Sequence, residues 1–253
     1  MKMLKVMALL SLLMLVVSCG GSKGATGAAK KYIIATDATY APFEFQENGK
    51  YIGIDVDLIT EIAKVEGFEF ELKPMDFGGI IPALQSGQID GAIAGASITD
   101  ERKKSVDFSD PYYEKGWVAV VNKENTTIKA GKDLEGKKLA VKNGTAGASY
   151  VEENLKGKSE AVTFKDTVSM FQAVTNNQAD AAFEDYPVIA YALSKDPASK
   201  LKIGTEKLTT GNYGFMVKKG SNPELVAKFN EGLKKLKANG KYDEIVAKYV
   251  GKK

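Results

Sequence analysis

The chain has 253 residues, is 44% hydrophobic and 26% charged, and carries 35 basic against 32 acidic side chains, for a net charge of +3. That is an ordinary globular composition, with room for one large domain or two smaller ones and a balance too even for a nucleic-acid footprint. With no His and a single Cys, a Ser-His-Asp or Cys-His centre, a His-ligated metal, an internal disulfide and a Cys-rich cluster are all excluded.

The chain opens on an address. Lys2 and Lys5 precede an apolar run over 6–17. A membrane-spanning helix needs roughly 20 such residues, so residues 1–18 read as a signal peptide. Val16-Val17-Ser18-Cys19, followed by Gly20, Gly21 and Ser22, resembles the lipobox of bacterial lipoproteins. That resemblance implies cleavage before Cys19, lipid on its sulfur, and anchorage on the outer side of the cytoplasmic membrane. A plain secretory signal ending near a Cys is the alternative. Residues 19–29 are a flexible tether by composition, and the folded part is expected to start near Lys30.

From there strands and helices alternate. A strand is predicted over 32–35. Ile54, Leu58, Ile62 and Val65 recur at helical spacing, with Gly67 as the stop. Then come a strand over 68–73, a helix over 80–85 closed by Gly87, a buried strand over 89–94 and a strand over 117–121. The pattern restarts with a strand over 139–141, a helix over 148–154, a strand over 161–164, a helix over 168–176 and a strand over 181–183. Asp185 before Tyr186-Pro187 is expected to cap a helix. A late strand follows over 213–217. Ser221-Asn222-Pro223-Glu224 opens a helix that runs to about Ala238 and stops at Asn239-Gly240, and a short helix over 242–249 ends the chain.

Residues 83–93 and 173–183 echo each other at an offset of 90 without gaps: Ala, Gln, Asp and Ala coincide. Both read as helix end, turn, Asp, buried strand. The expected fold is therefore α/β with two similar lobes. In open α/β sheets ligands bind beyond the carboxyl ends of strands, so two such ends facing one another make a cleft.

The chemistry sits at those ends. Asp37 follows the first strand, as a loop cap or a ligand acceptor. Tyr40, Phe43, Phe45 and Phe77 lie near the same mouth, as core packing or as rings that cover a ligand's carbon skeleton. Arg102 is the chain's one Arg. A solvated charge is served as well by Lys, whereas only Arg offers a planar fork that matches a carboxylate. Its alternatives are a ligand carboxylate or a salt bridge with Asp100, Glu101 or Asp107. Lys142-Asn143-Gly144-Thr145-Ala146-Gly147 joins a strand to a helix and can present backbone N–H groups to an anion. Neither a Walker loop nor GxGxxG is present. Asp185 supplies a negative charge from the same lobe, so donors and one carboxylate match the two poles of an α-amino acid.

Three segments, 35–45 (ATDATYAPFEF), 53–58 (GIDVDL) and 98–102 (ITDER), together with 106–113 (VDFSDPYY), resemble the amino-acid-binding family of ABC-transporter substrate-binding proteins. The resemblance runs from about Lys30 to Gly251. It implies a type II periplasmic-binding-protein fold: lobe 1 from 30–112 plus 214–253, lobe 2 from 117–208, and crossover hinges near 112–116 and 209–213. It implies that Arg102 clamps the ligand α-carboxylate, assisted by Gly95, Ser97 and the backbone of Thr145 and Ala146. Asp185 would take the α-ammonium group, Tyr40 and Phe77 would sandwich the side chain, and Asp37 and Lys142 would read its polar end. Within the family, residues 74–84 look most like the glutamine binder, from which Glu184, Ser97, Tyr40 and Ala146 depart. Glutamine is favoured. Histidine, arginine or lysine is the alternative, since Ser97, Tyr40 and Asp37 would suit a cationic side chain and Lys142 would repel it. The expected protein is a monomeric binder without cofactor or metal that delivers its amino acid to a membrane permease. A dehydratase on the same scaffold, using Glu184 or Asp37, is a lesser alternative.

Overall fold

The computed structural model describes residues 31–251. The expected signal peptide, lipobox at Cys19 and tether fall outside the described residues. In chain order the elements are β1 (Lys31–Thr36), β2 (Thr39–Tyr40), β3 (Glu44–Glu47), β4 (Lys50–Ile52), α1 (Ile54–Glu66), β5 (Glu69–Pro74), α2 (Phe77–Ser86), β6 (Gly91–Ala92), α3 (Asp100–Lys103) and β7 (Val106–Phe108). The second half holds β8 (Tyr113–Asn122), β9 (Lys138–Lys142), α4 (Ala146–Asn154), β10 (Glu160–Phe164), α5 (Thr167–Thr175), β11 (Ala181–Asp185), α6 (Tyr186–Lys195), β12 (Leu201–Ile203) and β13 (Thr209–Tyr213). The chain then returns to the first half with β14 (Met216–Lys218), α7 (Pro223–Ala238) and α8 (Lys241–Val250).

Two sheets carry the two lobes. The first runs β5-β1-β6-β14-β7; the second runs β10-β9-β11-β8-β12, with β13 also paired to β8. Read place by place, the orders match. In each, three parallel strands come first and an antiparallel strand stands fourth. The echo has a structural basis. Asp90 accepts the N–H of Ile33 at 2.9 Å, and Asp180 accepts that of Lys138 at 2.7 Å. Each Asp thus fastens the start of the neighbouring parallel strand in its own lobe.

Both faces of each sheet are covered, which is what a largely parallel sheet requires. In lobe 1, Ile34, Ile54, Leu58, Phe215 and Phe229 form one core under α1 and α7, while Ile80 and Leu84 of α2 pack on the other face. In lobe 2, Val118 and Val120 pack with Met170 and Val174 of α5, and Leu139, Val141 and Phe183 pack with Val151 of α4.

Some elements differ from the sequence pattern. The helix expected over 80–85 begins at Phe77, with Gly78, Gly79 and Pro82 inside it; those residues mask a helical period. The strand expected over 89–94 is only Gly91–Ala92, because the chain then turns into the cleft, with Gly95 at φ +53°. The strand expected over 213–217 is two strands, β13 and β14, separated by Gly214 and Phe215. The crossover segments lie side by side: β13 pairs with β8 from Thr209 opposite Trp117 to Tyr213 opposite Tyr113.

Candidate functional site

The carboxyl ends of β1, β6, β9 and β11 open on one gap between the lobes, bringing Asp37, Gly95, Lys142 and Asp185 together. The gap closes on a narrow hollow of about 20 Å³. From lobe 1 its wall takes Tyr40, Phe77, Gly95, Ser97 and Arg102; from lobe 2 it takes Lys142, Thr145, Ala146 and Asp185. Trp117, Gly147 and Phe183 complete the wall and were not singled out by the sequence, where they read as strand core and loop.

Arg102 stands in the last turn of α3, which Thr99 caps by accepting the Arg102 N–H at 3.2 Å. Its guanidinium donates to the carbonyl of Ser97 at 2.9 Å and, across the gap, to the carbonyl of Gly144 at 2.9 Å. The three acids that might have neutralised it are paired elsewhere. Asp100 pairs with Lys103, Glu101 with Lys104 and Asp107 with Lys219. Among the described residues no carboxylate forms an ion pair with Arg102, although it is only 8% exposed. Burial lowers its pKa to about 10, so it stays charged at neutral pH. A buried guanidinium with carbonyl partners alone is set up to receive an anion.

The lobe 2 side is built on α4. Thr145 caps it, accepting from the Ala148 N–H at 3.1 Å and donating to the Lys142 carbonyl at 2.8 Å. The first amides of a helix have no intrahelical acceptor, and the helix dipole favours negative charge there. Arg102 and this helix end therefore approach the same hollow from opposite lobes.

Asp185 precedes α6, but its side chain makes no capping bond. It holds the N-cap position as expected, with Pro187 in the first turn, but the carboxylate has stronger partners in the cleft. It accepts the Tyr40 hydroxyl at 2.6 Å and the Tyr213 hydroxyl. Lys115 Nζ lies 2.9 Å from its other oxygen, an ion pair out of line for a hydrogen bond. Lys115 is buried and sits 3.6 Å over the Trp117 ring; burial pulls its pKa down and Asp185 opposes this. Sequence reasoning missed Lys115 and Tyr213, because both belong to the crossover segments and nothing local marks them.

Asp37 and Glu184 stand just outside the cavity wall. Asp37 is buried, accepts the Ala38 N–H at 2.6 Å, and is ion-paired across the gap with Lys142. The Lys142 ammonium lies 4.7 Å from the Tyr40 ring centre and 5.4 Å from that of Phe77. Glu184 accepts the Tyr40 hydroxyl at 3.2 Å and the Asp185 N–H at 2.7 Å. Burial, then the neighbouring Asp185 charge, push its carboxyl up to about 7. Phe43 is core, edge-on to Tyr113 and Tyr213, and Phe45 packs against Tyr191 and Tyr249; neither lines the hollow.

Two glycines permit the fit. A Cβ on Gly95 would meet the Tyr40 ring at 2.6 Å, and one on Gly144, at φ +71°, would meet the Cα of Gly78 in the other lobe at 2.8 Å.

Two lobes, a paired crossover ribbon and a charged cleft between strand ends define a binding protein of the type II periplasmic-binding-protein fold. The chain belongs to the bacterial extracellular solute-binding proteins, family 3, matching that family over residues 32–252. It is 36% identical over 239 residues to the arginine-binding extracellular protein ArtP of Bacillus subtilis (strain 168), covering 92% of this chain and 91% of that one. It is 34% identical to a probable histidine-binding protein of Neisseria gonorrhoeae, covering 93% and 90%. Among solved structures, an ancestral arginine-binding protein bound to glutamine superposes with a TM-score of 0.82 at 43% identity, covering 88% of this chain and 98% of that one.

Proposed function

We propose that the cleft binds a polar, uncharged L-amino acid, glutamine first, and that closure around it forms the surface a membrane permease reads. The chain is an amino-acid-binding solute-binding protein of the ABC-transporter class by its family and by the names of its relatives; the choice of amino acid is our reading. One observation carries it: among the described residues the buried Arg102 fork has no ion-paired carboxylate, while Asp185 faces the same hollow. A zwitterion gives Arg102 its anion and Asp185 a cation. On binding, the α-carboxylate takes the place of the Gly144 carbonyl on Arg102, and the α-ammonium group competes with Lys115 for Asp185. Each lobe supplies half of the contacts, so the ligand favours the closed state.

The side-chain end distinguishes the candidates. Lys142 and Asp37 neutralise one another there, and the Lys142 ammonium already lies near both rings of the sandwich. An amide can accept from Lys142 and donate to Asp37; a guanidinium would meet a like charge. The observation favouring arginine is the acidic surplus of Asp37, Glu184 and Asp185 around Tyr40, together with the arginine-binding relative. A thermal-shift screen against the twenty amino acids, followed by calorimetry, decides between them. Glutamine at a hundred times its dissociation constant should add about 2.7 kcal/mol to stability. No shift with any amino acid would overturn the reading, and a shift with arginine alone would replace glutamine.

We also propose that Cys19 carries lipid and tethers the protein outside the cytoplasmic membrane. Radiolabelled palmitate should enter the wild type and not Cys19→Ser.

A further inference from the structure

Behind the lobe 1 wall lies a second acidic pair that the binding reading does not use. Glu44 of β3 and Asp55 of α1 are both fully buried. Their carboxyl groups are close neighbours, each acting on the other's charge. Among the described residues no donor reaches Glu44 Oε1, Glu44 Oε2 or Asp55 Oδ1. The remaining oxygen, Asp55 Oδ2, accepts the Gly95 N–H at 2.8 Å and the Tyr112 hydroxyl at 2.7 Å. Gly95 is cleft wall, and Tyr112 immediately precedes the crossover strand β8.

We infer that Glu44 and Asp55 hold one proton between them and act as a positioning pair that fixes the Gly95 peptide at the ligand's edge of lobe 1. Two bare carboxylates in contact with no donor between them would repel, whereas one proton turns the contact into a hydrogen bond. The proton belongs on Glu44, because Asp55 already accepts two bonds that favour its charged form. Burial, Asp55 and Asp37 push the Glu44 carboxyl well above its usual range, and only Lys142, from the other lobe, opposes them. Asp55 is itself pushed up to about 6 by burial, against the bonds from Tyr112, Gly95 and Glu44. The chain is held in place for this contact: the N–H groups of Ile54 and Asp55 donate to the carbonyls of Pro42 and Phe43, each at 2.9 Å. Loss of the shared proton would place a second charge beside Asp55 and disturb the acceptor on which Gly95 rests.

The inference rests on the amino-acid-binding reading for its consequence, but its first test needs no ligand. In an amide NMR titration of the wild type, the Gly95 resonance should move as pH rises above neutral. In Glu44→Gln, which keeps a donor towards Asp55 and cannot ionise, that movement should vanish. The infrared carbonyl stretch of a protonated carboxyl should be present in the wild type at neutral pH and weaker in Glu44→Gln. In calorimetry, Glu44→Gln should bind glutamine within threefold of wild type at neutral pH and lose affinity less steeply as pH rises, while Asp55→Ala should lose at least tenfold. An identical Gly95 titration in wild type and Glu44→Gln would overturn the inference, even if Asp55→Ala fails to fold. If no amino acid binds but the Gly95 titration differs, the pair stands and the function proposed above falls.

Discussion

The two lobes share a sheet order and an Asp clasp, yet their strand ends carry different chemistry. At the offset of 90, Ala94 and Gly95 of lobe 1 correspond to Glu184 and Asp185 of lobe 2. Lobe 1 offers a backbone peptide, two rings, a guanidinium and the single carboxylate of Asp37; lobe 2 offers two carboxylates, an ammonium group and a helix N-terminus. Strand pairing and burial constrain the sheet interior alike in both lobes. They do not constrain the residues at the strand ends, and there the two lobes differ.

The largest effect expected from breaking this asymmetry is on pH stability. The folded chain holds the Glu184 proton up to about 7, whereas an unfolded Glu releases it lower. Between those values the folded state binds more protons, so stability falls as pH rises, on the order of 3 kcal/mol from this group. Asp55, held at about 6, acts in the same direction. Thermal melts across that range should decline with pH, and Glu184→Gln should flatten part of the decline. Next, Arg102→Lys replaces the fork by a point charge and should weaken amino-acid binding on the order of a hundredfold by calorimetry. A loss below threefold would show that lobe 1 does not hold the carboxylate. Lys142→Met leaves Asp37 without its partner, and should move the arginine-to-glutamine affinity ratio about tenfold towards arginine; an unchanged ratio would show that the pair does not read the side chain. The smallest effect is expected for Gly144→Ala, whose methyl group meets Gly78. Affinity should fall several-fold with the ligand contacts intact, and scattering of the glutamine-bound form should show a more open molecule.

Much of this was legible in the sequence. Long periodic segments such as α1 and α7 announce themselves by spacing and caps, and the Asp90 and Asp180 echo gave the repeated lobe. Arg102 was legible because it is a single exception to the use of Lys, though its freedom from Asp100, Glu101 and Asp107 was not. That depended on Lys103, Lys104 and Lys219 taking those acids, which only three dimensions decide. The two- to four-residue strands β2, β3, β4 and β7 are too short to show a period. Lys115 was invisible for a different reason. Its burial comes from the register of β8 against β13 and from Asp185, seventy residues further along the chain.

The register of β8 and β13 has a consequence of its own. Two separate tethers would let each half of the molecule twist, slide and tilt independently. Laced together rung by rung, they form one flexible plank: it bends across its width, and shearing would cost it every rung at once. In the closure proposed above, the halves would thereby be steered along one arc, bringing the arginine of one jaw and the helix tip of the other to the same spot.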